Sequence, residues 1–149
     1  MKINYAAVVA CAVIYWMLGG LWYSPLLFGG KFIEIMRWSP EQLARIQAEG
    51  AGAQLALAFI GSLVAAYVLA HVVRYASAED AISGAKTGLW LWLGFVVTTN
   101  LNTVFFEYRP VGLFLINISY HLVALLSMGA LLAVWRKKKQ GEAKAPAYV

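Results

Sequence analysis

Four apolar stretches of about twenty residues or more constrain this chain more than any other feature. They run about Ile3–Tyr23, Gly52–Val73, Ala81–Phe106 and Val111–Trp135, separated by segments that carry charge, proline or glycine. A helix of about twenty apolar residues crosses the roughly 30 Å hydrocarbon core of a bilayer. Inside that core the backbone finds no water, so a spanning segment must satisfy its own amides, as a helix does. The expected fold is all-α: a four-helix transmembrane bundle in one domain, residues 1–139, with spans at about 3–23, 52–73, 81–106 and 111–135. Composition closes off the soluble alternative. Of 149 residues, 62% are hydrophobic and 13% charged, which leaves too little polarity to cover a water-facing surface. Lys86 intrudes near the start of the third stretch, where a lysine can snorkel to the interface.

The chain opens like a secretory signal, Met1-Lys2 before an apolar run, but no small-x-small cleavage pattern ends that run. The first helix is therefore expected to be retained. The one cysteine, Cys11, lies within it and permits neither an intramolecular disulfide nor a cysteine metal cluster. Val8-Val9-Ala10-Cys11 loosely resembles a lipidation box, yet the apolar residues before it are too few for a signal core and others continue past it. Cys11 reads as a packing residue.

An even number of spans places both termini on one side. The termini and the segment between the second and third stretches hold eight cations: Lys2, Arg74, Lys86, Arg136, Lys137, Lys138, Lys139 and Lys144. The other two loops hold four, Lys31, Arg37, Arg45 and Arg109. Positive residues resist translocation, so the N- and C-termini are expected in the cytoplasm, beneath a bacterial inner membrane. Arg136, Lys137, Lys138 and Lys139 directly follow a span and read as an anchor to anionic lipid, with no nucleic-acid partner. Residues 140–149 mix glycine, proline, alanine and charge without periodicity and are expected to be a disordered cytoplasmic tail.

The long loop between helices 1 and 2, about Ser24–Ala51, is then external. Ser39-Pro40-Glu41-Gln42 sets serine at N-cap, proline at N1 and glutamine at N3, which predicts a short helix ending near Gly50. Upstream, Phe32, Ile33, Ile35, Met36 and Trp38 are too apolar for a solvated loop and suggest a segment on the membrane surface or folded over the bundle mouth.

Membrane helices associate through close backbone approach and hydrogen bonds, because lipid tails compete for apolar contacts. Ala58, Ser62, Ala66 and Ala70 recur every four residues on the second span; Gly84 and Gly88 form a Gly-x-x-x-Gly pair on the third; Gly129 and Ala133 form a weaker pair on the fourth. These stripes suit an intramolecular bundle and equally a homo-oligomer.

Buried polarity concentrates on the last two spans. Asn100, Thr103 and Glu107 share one helical face, and Asn117, Tyr120 and His121 share another. Folding the hairpin at Tyr108-Arg109-Pro110 brings Asn100 and Asn117 to matching depth. Polar groups at that depth must face one another, another helix or water. Asn100, Thr103, Glu107, Asn117 and His121 are thus a candidate intramembrane polar site, either a cavity or interhelical hydrogen-bond glue. His71, one turn from Arg74, reads as interfacial. No glycine-rich phosphate loop, His-Glu-x-x-His or carboxylate cluster is present, so no catalytic residue, cofactor or metal is expected.

Gly20-Leu21-Trp22-Tyr23-Ser24-Pro25-Leu26-Leu27-Phe28-Gly29 resembles an uncharacterised family of small bacterial membrane proteins, domain of unknown function 1761. The Trp-rich third span, Trp90-Leu91-Trp92-Leu93-Gly94-Phe95, extends the resemblance along nearly the whole chain. It implies four spans and a long outer loop, and brings no activity and no functional residues. Two roles remain open on the residues: a non-catalytic accessory or structural membrane protein, and a carrier or pore for a small polar solute or ion.

Overall fold

The computed structural model describes residues 3–135; the basic run Arg136–Lys139 and the expected tail lie outside the described residues. The order is α1 (Tyr5–Trp22), α2 (Gly29–Met36), α3 (Pro40–Glu49), α4 (Gly52–Tyr75), α5 (Ala81–Leu91), a π-helical segment (Trp92–Val97), α6 (Thr98–Phe105) and α7 (Val111–Val134). Among the described residues every regular element is a helix. Four rods are long and apolar enough to cross a membrane: α1, α4, the continuous run Ala81–Phe105, and α7. Helix α7 is central, packing against α5, α1 and α4, while α1 and α4 also pack on each other.

The closest packing lies at the end where α1 begins and α4 and α7 finish. Ala12, Ala66 and Met128 are wholly buried there, and Cys11 is buried with its sulfur directed at the Met128 carbonyl. Ser62, Ala66 and Ala70 of the four-residue stripe face this core, whereas Ala58, a turn or more away, is exposed. Ala66→Leu is expected to lower stability in detergent by about 1–3 kcal/mol, since overpacking a filled contact forces the helices apart. An unchanged unfolding temperature would place the Ala66 face outside the core.

The two glycine pairs meet within the chain. A Cβ on Gly84 would lie 2.2 Å from the Gly129 carbonyl oxygen, and one on Gly88 would lie 2.2 Å from that of Leu125. Backbone thus touches backbone where α5 crosses α7, the most extensive helix contact of the bundle. Only glycine permits that distance.

The connections follow local chemistry. Asp80 caps α5 by accepting from the amides of Ile82 and Ser83, and Ser83 reciprocates to the Asp80 amide. The Ser83 hydrogen bonds hold the Asp80 carboxyl below its ordinary range. This cap is complete above the usual carboxylate range and is lost as pH falls through the lowered value. Ser39 and Gln42 form the expected reciprocal box at the start of α3, and Gly50, at φ 69°, ends it. Tyr108, at φ 52°, makes the tight turn into α7.

Between α1 and α2 the chain reverses at Trp-Tyr-Ser-Pro. The Phe28 amide donates to the Trp22 carbonyl at 3.0 Å and the Gly29 amide to that of Ser24 at 2.9 Å. A side chain at Gly29 would strike the Tyr23–Ser24 backbone, whereas Gly30 has open space around it. Helix α2 then folds over the bundle mouth: Phe32 meets Tyr23, and Ile35 reaches the α7 backbone at Gly112.

Candidate functional site

The five candidate polar residues divide into separate groups. His121 and Asn117 turn toward α1. The His121 Nδ1 lies 2.7 Å from the Tyr15 hydroxyl, and the Tyr23 hydroxyl donates to Asn117 Oδ1 at 2.8 Å. Between them, the Tyr120 hydroxyl donates to the Tyr15 carbonyl at 3.1 Å, and its ring stacks on Tyr15 with centroids 5.3 Å apart. One turn on, the Trp22 indole donates to the Ile116 carbonyl. Tyr15, Gly19, Trp22 and Tyr23 stand at i, i+4, i+7 and i+8, a single face of α1. Gly19 belongs to it because the Tyr120 hydroxyl occupies the space a side chain would need.

The remaining three candidates do not join this group. Asn100 donates to the Val96 carbonyl at 2.8 Å and Thr103 to that of Asn100 at 2.7 Å, both on their own helix. Glu107 accepts from Arg109 at 2.7 Å in an exposed ion pair. Among the described residues no hydrogen bond links Asn100, Thr103 or Glu107 to Asn117 or His121. Of the alternatives open to these groups, Asn117 and His121 meet another helix, and the two stripes are not joined to each other by hydrogen bonds.

A π-helical segment, Trp92–Val97, precedes Asn100 and Thr103 on the same rod. A π turn inserts the equivalent of one residue into an α-helix, so the face that α6 presents to α7 is reset relative to α5. Thr98 donates to the Gly94 carbonyl, Thr99 to that of Phe95 and Asn100 to that of Val96, so three successive side chains bond back onto the segment. Trp92 fastens the start of the segment to the Ile118 carbonyl at 2.7 Å.

Two openings flank the cluster. A cleft of about 630 Å³ between α1 and α4 runs from Ala51 and Gln54 down to Tyr15, Ser62 and Tyr120; His121 does not line it. Its polar groups are turned away: Trp16 bonds the Leu55 carbonyl, Ser62 that of Ala58 and Tyr120 that of Tyr15, so apart from Gln54 at the rim the wall is apolar. A smaller opening of about 270 Å³ lies under α2, lined by Tyr23, Phe32, Met36, Arg109, Leu113 and Asn117. Every buried side-chain nitrogen or oxygen among the described residues has a hydrogen-bond partner. No three His, Cys, Asp or Glu side chains among them form a metal-sized group.

This architecture fits one set of relatives. The family model described as protein of unknown function (DUF1761) matches residues 6–133, from the first turn of α1 to the last of α7. The chain belongs to that family. Comparison with curated proteins finds no match, and comparison with solved structures finds none. In this member of the DUF1761 family, the Trp-Tyr-Ser-Pro segment is a joint. Trp22 and Tyr23 point their polar ends at α7, and Ser24 closes the turn onto the Leu21 carbonyl.

Proposed function

We propose that this DUF1761 protein is a non-catalytic accessory component of a bacterial inner membrane, with both termini in the cytoplasm and α2–α3 as an outer cap. The pairing of His121 with Tyr15, beside an apolar cleft that does not reach His121, carries the reading. An ion path needs polar groups free to exchange partners along its length. Here the polar atoms at midspan are held by neighbouring helices, as in hydrogen-bond glue. The protein reconstituted in liposomes is expected to pass no more cation, anion or small polar solute than protein-free vesicles, at any pH from about 5 to 8, where imidazole ordinarily titrates. Flux above that background would overturn the accessory role. The second reading, a carrier for a small polar solute, is favoured by one observation: Asn117 and Arg109 line the opening under α2.

The orientation rests on the cation count. Reporter fusions within 76–78 are expected to behave as cytoplasmic and those within 41–49 as external. The reverse pattern would turn the cap inward.

A further inference from the structure

We infer that the opening under α2 is a binding site for an oxyanion, the phosphate or carboxylate group of a ligand met on the cap side of the bundle. At about 270 Å³ it sits just below the volumes of sites that enclose whole small molecules, about 300–1,000 Å³, and suits a charged group. Its lining side chains bring unused N–H donors. Arg109 gives one of its five N–H groups, at Nε, to Glu107 Oε2 at 2.7 Å, and the other four have no protein partner. A guanidinium held at Nε presents its amino groups as a planar fork that matches two oxygens of a carboxylate or phosphate. Asn117 accepts the Tyr23 proton on Oδ1, which leaves its Nδ2 amino group without a protein partner on the same opening.

The frame around these donors is built. The Arg109 amide is bonded to the Thr103 carbonyl at 3.0 Å behind the left-handed turn at Tyr108, so the base of the arginine is fixed. The Tyr23 and Phe32 rings meet at 5.2 Å and wall the opposite side. Glu107 orients Arg109 and at the same time opposes a second negative charge, so it weakens the site it helps to shape. This inference goes beyond the accessory role and does not depend on it.

The full chain in nanodiscs tests it with two probes: inorganic phosphate added to discs of phosphatidylcholine, and phosphatidylglycerol mixed into the discs with its retention read by native mass spectrometry. Arg109→Gln is expected to weaken binding of the effective probe roughly tenfold, the size of one charge-assisted hydrogen bond. Asn117→Asp, which keeps an acceptor for Tyr23 while adding negative charge, is expected to weaken it as well. Glu107→Gln is expected to tighten it. Retention of phosphatidylglycerol without phosphate binding identifies a lipid headgroup as the source, and phosphate binding in neutral discs identifies a soluble anion; either supports the site. If Arg109→Gln and Glu107→Gln act alike, the pair is only a surface ion pair and the inference fails. It fails equally if neither probe binds the wild-type protein while thermal unfolding shows it intact.

Discussion

Replacing Gly88 with valine is expected to stop α5 and α7 from docking. A Cβ at that position would stand 2.2 Å from the Leu125 carbonyl oxygen and 2.7 Å from its carbon, and both obstacles are backbone. No rotamer change relieves such a clash; the helices must separate along their whole contact. Gly84 faces the same limit against Gly129 one turn away, so the two helices cannot pivot around one bad contact. The cost is expected to be about 3 kcal/mol or more, the upper end of overpacking. Against a stability of about 5–15 kcal/mol, that shows as loss of the folded band or a large fall in unfolding temperature. Gly61→Ala is the control, because open space surrounds Gly61 and an exposed helical alanine is favoured over glycine by about 0.5–1 kcal/mol. Equal behaviour of the two variants would mean that α5 and α7 do not cross where their glycines meet.

The second large effect is expected at His121. His121→Ala removes the partner of the Tyr15 hydroxyl and the ring that packs 4.8 Å from Tyr120 and 6.0 Å from Tyr15. Interhelical hydrogen bonds in membranes contribute about 0.6 kcal/mol on average and up to about 1.7. Aromatic contacts add about 0.5–1.5 kcal/mol. A loss of about 2 kcal/mol is expected in unfolding from detergent or lipid. His121→Asn, which keeps a hydrogen-bonding group without the ring, is expected to recover part of it.

The architecture was legible because hydropathy marks four spans and because membrane packing demands small residues where backbones meet. Gly84, Gly88 and Gly129 mark close-contact surfaces in the sequence, and the fold shows that they meet each other within the chain. The cap was legible too, since Ser39-Pro40-Glu41-Gln42 is a complete local instruction. The polar site was only half legible. Asn117 and His121 were found from their shared face, but their partners, Tyr15 and Tyr23, lie on the first helix and read as ordinary amphipathic aromatics. Their spacing with Gly19 and Trp22 marks a face; nothing local says which helix meets it. Counting from the turn at Tyr108-Arg109-Pro110 places Asn100 at the depth of Asn117, and equal depth does not say that the two side chains meet. The π-helical segment Trp92–Val97, whose first residue bonds α7 through its indole, is not visible to a uniform 3.6-residue periodicity. Trp22 and Tyr23 illustrate the same limit: their place near the end of α1 does not reveal that their polar ends find carbonyl and amide acceptors on α7.

The most direct test of the central claim, that the midspan polar residues join α1 to α7 and do not form a path, is a double-mutant cycle between Tyr15→Phe and His121→Ala, read by unfolding in lipid. A coupling of about 0.6–1.7 kcal/mol is expected, with the double variant little worse than His121→Ala alone. Additive losses, together with a pH-dependent flux in wild-type liposomes that His121→Ala abolishes, would contradict it.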